Sequence, residues 1–135
     1  MKRVLTIAAI AALLISCTAQ QPASEVEDNT PGFVLSDENV EVKVGEDGAL
    51  LSLVNKETGH NYASGEGLWR MFYNTHQEKE MQIDGTENTP AVSQEGDVIT
   101  IAYKNLVHRG KTLRMDLTLT VKVEDGAVRF GSVVS

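Results

Sequence analysis

The feature that most constrains the fold is a long alternation of apolar and polar residues near the end of the chain. From position 113 to 123 every second residue is apolar: Leu113, Met115, Leu117, Leu119, Val121 and Val123 alternate with Arg114, Asp116, Thr118, Thr120 and Lys122. Successive side chains of a β-strand point to opposite faces of its sheet, whereas helical spacing would scatter these residues around the axis. The pattern therefore predicts a strand that buries one face.

Shorter apolar runs lie along the rest of the chain, separated by turn signals that contain glycine. They are Ile99, Ile101 and Tyr103; Val40, Val42 and Val44; and residues 68–73, which carry apolar groups on both faces. Asp47-Gly48 is expected to turn the early valine strand into residues 49–55, and Asp125-Gly126 to open a hairpin into residues 127–134. His108-Arg109-Gly110 is predicted to connect two strands.

Many short strands joined by tight turns favour an all-β fold. No segment after Cys17 combines a 3.6-residue apolar repeat with helix caps. We therefore expect antiparallel sheets stacked as a β-sandwich.

The start of the chain has the layout of an export signal. Lys2 and Arg3 precede an apolar stretch at 4–15, which is too short to span a bilayer comfortably. The sequence Leu14-Ile15-Ser16-Cys17 resembles the lipobox of bacterial lipoproteins, which implies that residues 1–16 are a signal peptide and that Cys17 is lipidated. The protein would then be anchored in the cell envelope, at the outer membrane. The alternatives are an ordinary secretory signal and, less favoured, a transmembrane anchor.

A polar tether is predicted to follow, at residues 17–32. It contains Pro22 and Pro31 and almost no apolar residues, so it cannot bury enough surface to offset its ordering entropy. The remaining residues, 33–135, suffice for one small core. Cys17 is the only cysteine of the chain, so this domain has no disulfide.

The charge of the chain argues against a nucleic-acid partner. Once Lys2 and Arg3 are removed with the signal, ten basic residues face 19 acidic ones, a net charge of −9. A surface of this charge repels phosphate backbones.

The last strand suggests a further domain downstream. Residues 127–134 are predicted to form a strand directly before the final Ser135, where a sheet would ordinarily continue. We therefore expect a sandwich truncated at its C-terminus. A small complete sandwich is the alternative.

One hairpin resembles a known domain. Residues 47–62, DGALLSLVNKETGHNY, resemble a hairpin in the N-terminal β-sandwiches of large secreted bacterial glycoside hydrolases, where a "G-x-L-x-x-L-x-N-x-x-T-G" stretch opens a sandwich of the galactose-mutarotase-like kind. Residues 68–73 are similar to the run that follows it there. In those enzymes a downstream (β/α) barrel usually carries the catalytic carboxylates. Within the hairpin, Gly48 and Gly59 suit turns with positive φ, Asn55 can accept hydrogen bonds from turn backbone, and Leu51 and Leu53 are expected to bury one face.

Three aromatic residues are candidates for contacting carbohydrate: Tyr62, Trp69 and Tyr73. A pyranose ring stacks on an exposed aromatic face while polar side chains hold its hydroxyls. Trp69 and Tyr73 share a strand parity with Met71, so the alternative is that both face the core. Tyr62 follows a turn and is expected to be more exposed.

The titratable residues do not predict a catalytic or metal site. His60, His76 and His108 lie at no short ligand spacing, so no metal is expected. The acids Glu78, Glu80, Asp84 and Glu87 fall in residues 74–89, which are predicted to be a solvated loop. General acid catalysis needs a carboxyl group in a shaped pocket, so none of these acids is assigned a catalytic role, and no cofactor is expected.

These observations favour a non-catalytic N-terminal sandwich of a lipid-anchored glycoside hydrolase, which supports the barrel and contacts carbohydrate. Two alternatives stay open. One is a small envelope lipoprotein that binds a glycan or a protein partner, and the other is a purely structural module.

Overall fold

The computed structural model describes residues 30–64, 67–74, 76, 77, 79 and 81–135. Within these ranges the chain forms β-strands and one short 3-10 helix, Gly85–Glu87. The strands are β1 (Gly32–Ser36), β2 (Val40–Gly45), β3 (Leu50–Asn55), β4 (Arg70–Tyr73), β5 (Met81–Asp84), β6 (Ala91–Glu95), β7 (Val98–Tyr103), β8 (Val107–His108), β9 (Lys111–Thr112), β10 (Leu117–Glu124) and β11 (Ala127–Val134). All their pairings are antiparallel, which confirms the predicted all-β class.

Two sheets form the body of the domain. One has the strand order β1-β2-β3 and the other β11-β10-β7-β6. Their facing sides supply the buried core, because the apolar alternation of each strand turns the same set of residues inward. The core residues are Leu35, Val42, Val44, Ile99, Ile101, Tyr103, Leu106, Leu117 and Val121.

The long alternation forms a strand only in its second half. β10 begins at Leu117, because the backbone of Arg114 has φ +52° and leaves the strand conformation. Residues 113 and 115 instead bond to the buried Leu106. The N–H of Leu113 donates to the carbonyl of Leu106, and the N–H of Leu106 donates to the carbonyl of Met115, both at 2.8 Å. The predicted strand from 113 to 123 is therefore too long at its start.

The β2–β3 hairpin follows its predicted turns but departs from the predicted alternation. Gly48 and Gly59 have φ +79° and +70°, and Asn55 Oδ1 accepts the N–H groups of Glu57 and Thr58, each at 3.0 Å. The register shifts between Lys43 and Val44, so that Val44 lies opposite Leu50 and Leu51 is the extra residue. Leu50 and Leu53 therefore pack against the core, and the expectation for Leu51 was wrong.

The two long sides of the sandwich differ. Along one side, Gln94 Nε2 of β6 donates to Val34 O of β1 at 3.3 Å and links the sheets. At one end, Asp37 Oδ2 accepts Gly126 N at 3.0 Å, which ties the β1–β2 turn to the β10–β11 turn. On the other long side, β3 and β11 are each the last strand of their sheet, and a groove lies between them.

A second hairpin, β4–β5, covers one end of the core. Trp69 and Met71 pack against the core, and Ile83 of β5 is buried. Asn88 then joins this hairpin to β8, since its Nδ2 donates to Asp84 O and Val107 O while its Oδ1 accepts Val107 N. The prediction of a solvated loop over 74–89 was thus wrong for residues 81–84, which form β5. No helix in the described part of the chain is both long and apolar enough to cross a membrane.

Candidate functional site

Trp69 lies at the corner where the β4–β5 hairpin meets the sandwich. Its ring contacts Tyr103 edge-on, with ring centroids 5.2 Å apart. Its indole N–H is buried and makes no well-directed hydrogen bond within the described residues, although Nε1 and the Tyr103 hydroxyl both lie within 3.6 Å of the Cβ position of residue 85. A buried donor without a partner costs free energy, and a bound acceptor would relieve that cost.

A cleft of about 690 Å³ opens on one side of this tryptophan. Four separate segments form it: the β2–β3 turn, the residues that enter β4, the end of β5 with its 3-10 helix, and Tyr103 at the end of β7. Its polar groups surround one aromatic wall. The side chains that line it include Asp47, Trp69, Arg70, Asp84, Thr86 and Tyr103.

The carboxylate of Asp84 is held ionised in this cleft. Its Oδ1 accepts the Thr86 hydroxyl at 2.6 Å and the Thr86 N–H at 2.9 Å. These bonds lower the pKa of Asp84 and outweigh the opposing effect of burial, and Gln82 and the Arg70 guanidinium contribute less in the lowering direction. An acid with a lowered pKa is poorly suited to donate a proton near neutral pH, but it is a good acceptor for hydroxyl groups.

Tyr103 forms the floor of the cleft and depends on Gly48. Burial raises the pKa of Tyr103; the nearby Trp69 indole opposes this rise and the Asp47 carboxylate adds to it. A Cβ on residue 48 would lie 2.7 Å from the Tyr103 hydroxyl oxygen, so a side chain at this position would displace the floor. Glycine is therefore needed both for the positive φ and for the space above Tyr103.

A second cleft, of about 580 Å³, adjoins the first and shares residues 67–70 with it. It lies on the open side of the sandwich and is more aromatic, with Tyr62, Trp69 and Phe130 in its lining. Tyr62 is 60% exposed and is fixed beside β3 because its N–H donates to Leu53 O at 2.8 Å. Trp69 thus belongs to both clefts.

The structure brings together two of the three aromatic residues that the sequence predicts as sugar contacts. Tyr62 and Trp69 line the second cleft, whereas Tyr73 is in the lining of neither. Tyr73 is half-buried and its ring meets His108 edge-on, with centroids 6.3 Å apart. Trp69 packs on the core and also lines the clefts, so it is both a core residue and a residue of the candidate site.

Sequence reasoning missed the residues that complete the two clefts. Asp47 and Arg70 were not predicted to contact a ligand, and Asp84 was considered only as a possible catalytic acid. Phe130 was predicted only as a residue of a strand. The residue types of Asp47 and Asp84, each before a glycine, indicate turns, and nothing in their spacing indicates that the turns meet. Cys17, Glu78 and Glu80 lie outside the described residues.

The side chains of the two clefts are of types that can bind a ligand. Across the ranges that the structure describes, no group of three or more His, Cys, Asp or Glu side chains could hold a metal ion. The clefts offer an aromatic wall, ionised acceptors, a guanidinium and hydroxyl groups. Such a set holds a neutral polyhydroxylated ligand through stacking and hydrogen bonds.

Comparisons with known proteins do not assign a function to these clefts. Comparison of the chain with protein-family models, with curated proteins and with solved structures finds no match. The function is therefore argued from the residues of the two clefts.

Proposed function

We propose that this domain is a non-catalytic carbohydrate-binding β-sandwich that belongs to a lipid-anchored glycoside hydrolase of the bacterial cell envelope. The observation that carries the proposal is Trp69, a partly exposed ring between two clefts lined by acceptor and donor side chains, whose buried N–H makes no well-directed hydrogen bond with the described residues. The hydrolase parent rests on the resemblance of residues 47–62, and the envelope location on the lipobox-like Ser16-Cys17.

The side chains around Trp69 match the chemistry of a sugar. The apolar face of a pyranose stacks on an aromatic ring, and its hydroxyls both donate and accept hydrogen bonds. Asp47 and Asp84 supply acceptors on one side of the ring, and Arg70 supplies donors. Tyr62 and Phe130 provide further rings in the adjoining cleft, so an oligosaccharide could contact both.

The same electrostatics argue against hydrolysis within this domain. A retaining or inverting glycosidase needs one carboxyl group that is protonated at working pH. The hydrogen bonds from Thr86 lower the pKa of Asp84 and keep it ionised. In the proposed parent, the catalytic carboxylates belong to the barrel and this sandwich supports it.

Trp69 is the only tryptophan of the chain, so its fluorescence reports directly on the proposed site. We expect neutral oligosaccharides from a panel of galactosides, glucosides and mannosides to change the emission of the full-length chain in detergent, with saturation. No member of the panel should be hydrolysed. A flat emission response to the whole panel would contradict the proposal.

Substitutions then separate stacking from a general structural effect. We expect Trp69→Ala to raise the dissociation constant measured by calorimetry about tenfold or more, which is equivalent to about 1.4 kcal/mol. Trp69→Phe should weaken binding less, because an aromatic ring remains. Phe72→Ala is the matched control, since Phe72 is an exposed ring on β4 that lines neither cleft. Equal losses in Trp69→Ala and Phe72→Ala would contradict a stacking role.

A further inference from the structure

Four basic side chains lie together on one projecting part of the chain, residues 104–114, between β7 and β10. This cationic arm contains β8 and β9, and it has no acidic residue although the chain as a whole is acidic. Its basic residues are Lys104, Arg109, Lys111 and Arg114, and all four are exposed. The cationic arm is therefore a local positive surface on a domain of negative net charge.

The cationic arm is fixed to the rest of the domain at several points. Leu106 is fully buried in the core. The N–H of Val107 donates to Asn88 Oδ1 at 2.7 Å, and the N–H of Arg109 donates to Glu87 Oε2 at 2.8 Å. The basic side chains are thus carried on an ordered backbone, which lowers the ordering cost of binding a ligand.

Two arginines of the cationic arm occupy backbone conformations that ordinarily favour glycine or asparagine. The φ angle is +49° at Arg109 and +52° at Arg114. A residue with a long side chain is strained in this left-handed region, so a smaller residue would suit the backbone better at both positions. Strain of this kind clusters at functional sites, which supports a role for these side chains.

The charges of the cationic arm are only partly neutralised within the protein. Lys104 Nζ lies 2.7 Å from Asp116 Oδ2, so this lysine is paired. Among the described residues, no carboxylate lies within ion-pair distance of Lys111 or Arg114. Because the Debye length is about 8 Å at physiological ionic strength, these two charges act on a nearby ligand more strongly than distant acids do.

The cationic arm adjoins both an aromatic ring and the first cleft. Lys111 is paired directly across the arm with His108 and shares a face with it, and the ring of Tyr73 meets His108 edge-on. Asn88 Nδ2 donates to the carbonyl of Asp84, a residue of the first cleft, and to the backbone of the arm, each at 3.1 Å. A glycan that occupies the first cleft can therefore extend onto the arm.

We propose that the cationic arm binds the carboxylate of a uronate sugar, so that the glycan recognised by this domain is an acidic polysaccharide. The inference rests on the proposed carbohydrate-binding function and adds the charge class of the ligand. Arg114 and Lys111 supply the positive charge, since a guanidinium can donate two parallel hydrogen bonds to a carboxylate. Tyr73 offers a ring beside Lys111, and the neutral sugars of the same chain occupy the clefts at Trp69.

Matched oligosaccharides test the preference for charge. The probes are oligogalacturonate, oligoglucuronate and oligomannuronate, each compared with its uncharged methyl ester of the same length. We expect at least one acid form to bind the full-length chain in detergent about tenfold more tightly than its ester, by calorimetry at low salt. The preference should shrink as sodium chloride is added, because salt screens exposed charges.

Two results would overturn the inference while leaving the carbohydrate-binding function open to its own test. One is that every ester binds as tightly as its acid, and the other is that no acid form binds. The response of the Trp69 emission to the neutral panel then decides the carbohydrate-binding function separately.

Substitutions locate the preference on the cationic arm. We expect Lys111→Gln/Arg114→Gln to reduce the affinity for the acid form to that for the ester and to leave the affinity for the ester unchanged. The matched control is Lys122→Gln/Arg129→Gln, which also removes one lysine and one arginine, from a cross-strand pair that lines neither cleft. Equal losses in the two double variants would show a general effect of net charge and refute the assignment to the arm.

Competitors separate a uronate from other anionic ligands. Oligoglutamate carries carboxylates without sugar rings, and phosphatidylglycerol in the detergent micelle presents a lipid headgroup. Neither should displace the bound acid oligosaccharide at equal concentrations of negative charge. Displacement by oligoglutamate that requires Lys111 and Arg114 would assign the arm to an acidic peptide, and displacement by phosphatidylglycerol would assign it to a lipid surface. Either result would overturn the inference.

Discussion

At the scale of single residues, the carboxylate of Asp37 joins the two sheets through hydrogen bonds from backbone N–H groups. Its Oδ1 accepts the N–H groups of Asn39 and Val40, at 2.8 and 2.9 Å, and its Oδ2 accepts Gly126 N from the opposite sheet. These bonds, first that of Val40, lower the pKa of Asp37, and Lys56 contributes in the same direction. The ionised carboxylate is therefore the form that the fold stabilises.

We expect Asp37→Asn to lower the thermal midpoint at pH 7, because an amide cannot accept all three hydrogen bonds. A carboxyl group whose pKa is lower in the folded state contributes stability above its unfolded pKa of about 3.9, and that contribution is lost as the pH falls through the lower folded pKa. The gap between wild type and variant should thus shrink as the pH falls below about 4. Thermal melts from pH 7 to pH 2 measure it, with the exposed Asp97→Asn as control. A gap that stays constant over this range would contradict the argument.

At the scale of elements, period-two patterns predicted strands such as β7 that bury an apolar face, and turn signals predicted others such as β11, which is mostly exposed. β7, β11 and the β2–β3 hairpin lie where the alternation and the turns predicted them. β5 was missed because only Ile83 of its residues is fully buried, and β6 because Gln94 occupies its inward face beside Ile99. Of the residues that line the clefts, the sequence predicted Tyr62 and Trp69 as sugar contacts, because an aromatic ring can stack on a sugar. Their neighbours come from distant turns, whose meeting depends on tertiary packing.

Two glycines with similar φ provide a prediction at this scale, because Gly48 in the β2–β3 turn and Gly59 in the turn after β3 have different surroundings. Gly59→Ala should cost about 1–2 kcal/mol, the ordinary cost of a left-handed alanine, since no described atom lies within 4 Å of its Cβ position. Gly48→Ala should cost about 1–3 kcal/mol more because its Cβ would also overlap the Tyr103 hydroxyl. Denaturant unfolding gives both values. Equal costs at the two positions would show that the space above Tyr103 is not restricted.

At the scale of the whole molecule, the proposed lipid on Cys17 and the tether of residues 17–32 would hold an acidic domain near a membrane without close contact. A surface of net negative charge is repelled by anionic lipid, so the attachment must come from the lipid chains. Several acyl chains on one residue bind a membrane strongly, since each buried CH₂ contributes about 0.8 kcal/mol.

We therefore expect Cys17→Ser to lose radiolabelled palmitate and to leave the membrane fraction when it is produced in a Gram-negative host. The measurement is autoradiography of membrane and soluble fractions after palmitate labelling. Ser16→Ala, which keeps a small residue before the cysteine, is the control and should stay labelled. Equal labelling of Cys17→Ser and wild type would rule out lipidation at this position.

The position of Trp69, which packs on the core with one part and faces the two clefts with another, links ligand occupancy to the folding equilibrium. In the unfolded chain the four segments that form the first cleft are far apart, so a ligand that needs all of them binds only the folded state. A ligand at one hundred times its dissociation constant would then add about 2.7 kcal/mol to the free energy of unfolding. For a domain of this size that is a substantial part of the total. In the cell, a molecule bound to the proposed glycan would therefore be unfolded, and open to degradation, for a smaller fraction of the time than an empty one, so the abundance of the protein would follow the supply of that ligand.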